Sequence, residues 1–197
     1  MAASRALSSL LKTVLAVHLS ASATSIAYGS LRSGTPFANK DEDSIDFPHS
    51  SDVEKIIAQM YCGKGVPVSM FAPDAVFEDP AAKCSGVHEI VEAFRALKAC
   101  RPESLSKPRV IFNSYILGSD GLGSIILVEL HQRYFGALQV RSYAVVETGM
   151  DGLIKRVEER WNGVPILEFE PFPTVRRLNG LFSYALTSTF IRDKKDA

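Results

Sequence analysis

Cysteine is scarce in this chain, and the thiols it has sit far apart. Cys62, Cys84 and Cys100 are the three among 197 residues, and no two form a C-x-x-C pair. That spacing excludes a zinc ribbon and a dithiol redox motif, and an odd count suits a reducing compartment better than a disulfide framework. Histidine is nearly as sparse: His18, His49, His88 and His131 show no metal-ligand spacing, so no metal is expected. No glycine-rich phosphate loop follows a strand, so no nucleotide or other cofactor is expected. No apolar stretch reaches about 20 residues, the length of a helical membrane span. Clustered basic charge is missing as well. Formal net charge is zero, but four of the 22 basic residues and none of the 22 acidic ones fall in 1–40, leaving the remainder at net −4. A weakly acidic body offers no footprint for nucleic acid, whose phosphates need grouped Lys and Arg.

What is present is an ordinary globular balance, 46% hydrophobic and 22% charged, enough for one domain with extensions. The first forty residues stand apart from it. Leu7, Leu10, Leu11, Val14 and Leu15 recur at helical spacing, and Arg5 and Lys12 fall on the opposite face. With eight serines and no acid, residues 1–40 have the composition of a mitochondrial or plastid presequence, or form a disordered tail. Mitochondrial delivery is the leading expectation. Secretion ranks lower because Lys12 and His18 interrupt the apolar run a signal peptide needs. Residues 41–50 close a polar linker rich in acid, Pro and Gly that begins near residue 33.

The body spans 51–165. Ser51 and Glu54 have capping-box spacing, and Val53, Ile56, Ile57, Met60 and Tyr61 predict one apolar stripe on a helix that Gly63 ends. A short strand, 75–78, runs into Asp79-Pro80 and a small-residue loop. Gly86 then opens a helix over 87–99, with Val87, Ile90, Val91, Phe94 and Leu97 on one side and Pro102 preventing its continuation. Beyond Pro108 the period becomes strand-like: Arg109–Leu117, Ser124–Phe135, Leu138–Glu147 and Leu153–Trp161, separated by tight turn signals. Helices first and a meander of strands after predict an α+β fold with an antiparallel sheet.

This order, with the motif FAPDAVFEDP followed by a helix and a late strand DGLIKRVEERWNG, resembles the nuclear transport factor 2-like superfamily, in its SnoaL-like and ketosteroid isomerase-like branches. The resemblance covers roughly 50–165 and rests on Phe71–Leu97 and Asp151–Gly163. It implies a cone-shaped barrel, in which a strongly curved antiparallel sheet wraps around N-terminal helices and leaves an apolar pocket. It also implies a pocket lined by Phe77, Phe94, Val157, Glu159 and Trp161.

By the same resemblance Asp79, at the strand end before Pro80, matches the aspartate that ketosteroid isomerases use as general base. The other reading makes its carboxylate the cap of a turn that Pro80 shapes. An isomerase also needs donors for the oxyanion. The position matching its oxyanion acid falls near Ala144, which has nothing to donate. Tyr61 is the helix-one tyrosine available, with Tyr115, Tyr134 and Tyr143 as strand alternatives. His131 is the remaining titratable candidate; it shares a strand face with Leu127, Glu129 and Arg133 by period-two counting. Asp79, His131 and Tyr61 are thus the candidate catalytic residues.

Residues 166–197 form an extension. Thr174 can cap a helix whose Val175, Leu178, Leu181, Phe182, Ala185, Leu186 and Phe190 give it an apolar side, with Gly180 weakening it. Docking on its own domain is the default; sealing the pocket, or lying on a membrane with Arg176 and Arg177 toward headgroups, are alternatives. The expected role is a domain that binds an apolar small molecule or serves as a scaffold. The alternatives are a cofactor-independent isomerase, lyase or cyclase on an apolar carbonyl compound with Asp79 as base, and a module that homodimerises through its sheet.

Overall fold

A computed structural model describes residues 50–118, 121–163 and 173–190. Residues 1–40, expected to be a targeting peptide or a disordered tail, and most of the linker lie outside these residues. Helix α1 (Ser50–Tyr61) begins one residue before the expected capping position, and Val53, Ile56, Ile57, Met60 and Tyr61 are all buried, as the stripe predicts. Helix α2 (Val87–Leu97) buries Val87, Ile90 and Phe94. Gly86 precedes it at φ 86°, a left-handed conformation that a side chain would strain, while its amide donates to the Ala75 carbonyl at 2.8 Å. Helix α3 (Pro173–Phe190) closes the chain's described part.

Seven strands make one sheet: β1 (Phe71–Glu78), β2 (Lys83–Ser85), β3 (Glu103–Ser104), β4 (Arg109–Gly118), β5 (Gly121–Tyr134), β6 (Leu138–Thr148) and β7 (Ile154–Trp161). The spatial order is β2-β1-β7-β6-β5, with β3 and β4 both pairing β5. The expected antiparallel meander is present from β4 to β7. The expectation of a wholly antiparallel sheet is corrected, because β1 joins β7 in parallel. Among the described residues, three helices and a seven-stranded mixed sheet make an α+β fold.

Two further differences have local causes. β1 starts at Phe71, four residues before the expected strand, because the register shifts between Phe71 and Val76 and so accommodates exposed Pro73 and Asp74. A proline is tolerated in a strand where the ladder is already broken by a bulge. The small-residue loop after Pro80 contains β2, which folds back antiparallel on β1 with Phe77 opposite Cys84. Three residues with one buried side chain are too short for a periodic signal.

The main core lies between the helices and one sheet face. Ile57, Met60 and Tyr61 of α1 and Ile90 and Phe94 of α2 pack with Phe77, Ile126, Val128, Leu130, Ala144, Val146 and Val157. Alternation places Gln132 and Tyr134 of β5, Ser142 of β6, and Glu159 and Trp161 of β7 on that same inner face. The outer face carries a smaller cluster, Leu127, Tyr143 and Val145.

Candidate functional site

Glu159 is a carboxyl group placed where the strand pattern demands an apolar residue. It follows Val157 by two positions on β7, and it is 3% exposed. Its cross-strand neighbour is Ala144, whose small side chain leaves room for the carboxyl beside it. Tyr61 Oη donates to Oε2 at 2.8 Å and Ser142 Oγ donates to Oε1 at 2.6 Å. The Trp161 side chain adds a third hydrogen bond. Each donor comes from a different element or register position: Tyr61 from the last turn of α1, Ser142 from β6 and Trp161 two residues on along β7.

Burial raises the Glu159 carboxyl first, and the nearby Asp79 charge raises it further. Hydrogen bonds from Ser142, Tyr61 and Trp161 pull the other way, and the balance pushes it up to about 7. The protonated form has a hydrogen-bond outlet. Tyr61 and Ser142 are hydroxyls and can turn to accept its proton, whereas an indole N–H can only donate. The protonated form can therefore donate to one of these hydroxyls while the other donor keeps its place on the second oxygen.

Tyr61 is 1% exposed and its hydroxyl is pushed well above the usual phenol range, by burial first and then by the Glu159 charge. Its ring meets Phe94 edge-on at 5.1 Å, and Phe94 meets Phe77 edge-on at 5.0 Å. These aromatic contacts fix the phenol direction. Tyr61→Phe keeps the ring and removes the donor, so it is expected to cost about 1–2 kcal/mol in urea unfolding and to raise the Glu159 midpoint further.

Asp79 follows the end of β1. Its Oδ1 accepts from the Ala81 amide at 2.7 Å and the Ala82 amide at 2.5 Å, while its own amide donates to the Ala82 carbonyl at 2.9 Å. This is the turn-capping arrangement. Its charge still reaches inward, where it raises Glu159, Tyr61 and Tyr134. Tyr134 is half-buried at the end of β5 and is likewise pushed up, mainly by burial. The inner face thus brings Tyr61, Asp79, Tyr134, Ser142, Glu159 and Trp161 into one electrostatic group.

His131 is not in that group. It sits between buried Leu130 and Gln132 but points to the opposite face, in the strand row that carries Leu127 and Glu129. Glu129 in that row is occupied by Arg109 at 3.0 Å and by Arg141. Of the strand tyrosines, Tyr143 lies on the outer face beside Arg141, whose guanidinium is 5.9 Å from its ring centre, and Tyr115 is 55% exposed. Phe77, Phe94 and Val157 are core residues at 4%, 3% and 0% exposure; Trp161 is half-buried at the rim.

Sequence reasoning placed Glu159 on the inner wall but gave the proton chemistry to Asp79. It did not single out Ser142 or Gln132. Both carry a readable signal, a polar side chain in the apolar row of a strand: Ser142 between Val140 and Ala144, and Gln132 between Leu130 and Tyr134. Gln132 is 0% exposed and exchanges hydrogen bonds with Ser104 Oγ, which also meets Cys62 Sγ at 3.3 Å. Among the described residues no three His, Cys, Asp or Glu side chains converge as metal ligands, and no helix is long and apolar enough to cross a membrane.

No family model and no curated protein matches the sequence. Among solved structures the chain is similar to an NTF2-like protein of unknown function from Cytophaga hutchinsonii, at 8% identity and TM-score 0.40, covering 60% of this chain and 94% of that one. It is similar to a Catenulispora acidiphila protein with a ketosteroid isomerase-like fold in complex with trimethylamine, at 16% identity and TM-score 0.41, covering 65% and 96%. A third is ActVI-ORFA from Streptomyces coelicolor, at 14% identity and TM-score 0.35, covering 58% and 93%. At these identities and TM-scores the likeness assigns no activity.

Proposed function

We propose that the protein binds a small, largely apolar molecule inside the curve of its sheet and receives one polar group of that molecule at Glu159. The observation that carries this reading is Glu159 itself, a buried carboxyl held by three donors at the polar end of the inner face, next to the apolar core. Burying an ionisable group costs several kcal/mol unless it is paired, so such groups collect at sites that use them. Entry is proposed at the rim made by Asp79, Tyr134 and Trp161, which stay half-buried while Tyr61, Ser142 and Glu159 do not. Closure of the sheet into a cone above this rim is part of the same proposal.

A second reading is favoured by one specific observation. Glu159 titrates near neutrality while Asp79 is held by two backbone amides, so two neighbouring carboxyls have environments that separate their roles. In that reading Glu159, not Asp79, moves the proton in an isomerase, lyase or cyclase acting on an apolar carbonyl compound.

The test uses 1-anilinonaphthalene-8-sulfonate as an apolar probe, with native mass spectrometry of the purified chain. Saturable fluorescence enhancement is expected, weakened at least tenfold in Trp161→Ala, together with a co-purified small mass released on denaturation. Fluorescence that Trp161→Ala leaves unchanged, with a spectrum at the bare chain mass, overturns the reading.

A further inference from the structure

The C-terminal helix was expected to dock, if at all, through an apolar side. Val175, Phe182, Leu186 and Phe190 of that side lie outside the described side chains; among those described, the buried ones are polar residues and a glycine. Leu178, Leu181 and Tyr184 are 46%, 41% and 40% exposed, whereas Arg176 and Asn179 are 5% and 6% exposed and Gly180 is buried. Positions 176, 179 and 180 are three and four apart and so form one helix stripe.

That stripe lies on the turn joining β1 to β2. Arg176 Nε donates to the Asp79 carbonyl at 3.1 Å, and its Nη2 pairs with Glu78 Oε2 at 2.8 Å. Asn179 Nδ2 donates to the Ala81 carbonyl at 2.8 Å. Arg177 Nη1 donates to the Lys83 carbonyl at 3.3 Å and binds Glu89 as well. A Cβ on residue 180 would sit 2.1 Å from the Lys83 carbonyl oxygen. One helix therefore holds the carbonyls of residues 79, 81 and 83. The same turn uses the amides of 81 and 82 to hold the Asp79 carboxylate. The carbonyl side of the turn is held by α3 and the amide side by Asp79.

We propose that Arg176 and Asn179 are positioning residues for the inner site: through them α3 fixes the 79–83 turn, and with it the place of the Asp79 carboxylate relative to Glu159. This rests on the reading of Glu159 given above. The groups facing Glu159 are Tyr61 from α1, Asp79 from the end of β1, Tyr134 from β5, Ser142 from β6 and Trp161 from β7. Asp79 is the member of this set carried on the turn that α3 holds, so loosening α3 acts on Glu159 through it.

The experiment is a pH titration of the Glu159 carboxyl by carbon-13 NMR in the full chain, assigned by its loss in Glu159→Gln. Arg176→Met with Asn179→Ala, and the milder Asn179→Ala alone, are compared with Val53→Ala, a core change in α1 away from the turn. The turn variants are expected to weaken proton binding at Glu159 by roughly threefold or more, about half a pH unit in midpoint, because Asp79 moves off and water enters. Val53→Ala lowers the urea midpoint and leaves the titration where it was. If the turn variants lose stability with the Glu159 midpoint unmoved, α3 is a structural clamp and the positioning role is overturned. If the wild-type carboxyl titrates in the ordinary carboxylate range, the reading of Glu159 fails first and the positioning role falls with it.

Discussion

Gly180→Ala is expected to destabilise the protein, although alanine is the better helix former by about 1 kcal/mol. In an exposed helix the substitution would stabilise, by lowering the entropy of the unfolded chain. Here the added methyl would lie 2.1 Å from the Lys83 carbonyl oxygen and 2.9 Å from its carbon. Both are backbone atoms of β2 and cannot turn aside as a side-chain tip would. The helix must lift, and the Arg176 bond to Asp79, the Asn179 bond to Ala81 and the Arg177 bond to Lys83 lengthen together. Overpacking of this kind costs about 1–3 kcal/mol, enough to reverse the propensity gain. Urea unfolding reads the loss, and hydrogen exchange at the Ala81 and Ala82 amides is expected to quicken. Leu178→Ala, at a 46% exposed position on the same helix, is the comparison and should stay within about 0.5 kcal/mol. A Gly180→Ala protein as stable as wild type would show that α3 does not press on β2.

The same glycine shows where sequence reading stops. As a letter, Gly180 is a weak point in a helix; its purpose is the approach of a strand about a hundred residues earlier in the chain, which no local pattern encodes. The apolar side read onto α3 failed at Leu178 and Leu181 for a related reason. Periodicity finds an amphipathic helix, but among the described residues of α3 the buried stripe is Arg176, Asn179 and Gly180, which face the carbonyls of the 79–83 turn. Elements with long, clean periods were legible: α1 from Val53 to Tyr61, α2 from Val87 to Phe94, and the strands from β4 to β7. β2 and β3 were not, being three and two residues long and stable only through their partners β1 and β5. The parallel pairing joins β1 to β7, the first and last strands of the sheet in sequence, and hydrophobic alternation is silent on strand direction.

The site was half legible. Counting by two put Val157, Glu159 and Trp161 on one wall, and the helical stripe put Tyr61 against it. That Tyr61 reaches Glu159, 98 positions away, follows from how α1 crosses the sheet. His131 shows the opposite limit: its row was read correctly, but which face is inner depends on where the helices pack. The row of Leu127, Glu129 and Arg133 belongs to the outer side. Asp79 carried two readings, general base and turn cap, because a strand-end aspartate before proline serves both chemistry and turn geometry. Hydrogen bonds to the amides of residues 81 and 82 put its Oδ1 in the second role.

Stability is expected to fall by roughly 3 kcal/mol as pH rises from about 4.5 to about 7, and Glu159→Gln should abolish that slope. The sign follows from proton counting. The folded chain holds the Glu159 proton up to about 7, against an ordinary value of 4.5, so between these values unfolding releases a proton. Raising the pH then favours the unfolded chain. Other carboxyls act in a different window. At Glu78, burial opposes ionisation, but the charges of Lys83 and Arg156 and the Arg176 hydrogen bond outweigh it and hold the group below its usual range. Glu89 is held low first by its hydrogen bond from Arg177. For these two the unfolded chain binds protons more readily, so their contribution is present above about pH 4.5 and is lost as pH falls through their lowered values. Wild-type stability should therefore peak close to pH 4.5–5 and decline on both sides, by carboxyl pairs below and by Glu159 above. A glutamine at 159 can accept from Tyr61 while its amide donates to the Ser142 hydroxyl, so the network survives without a titrating member. Above pH 7 the variant should be the more stable protein, having no charge to bury. Urea midpoints measured from pH 4 to 8 decide it; parallel curves for the two proteins across that range would mean that Glu159 binds its proton no more tightly in the fold than in the unfolded chain.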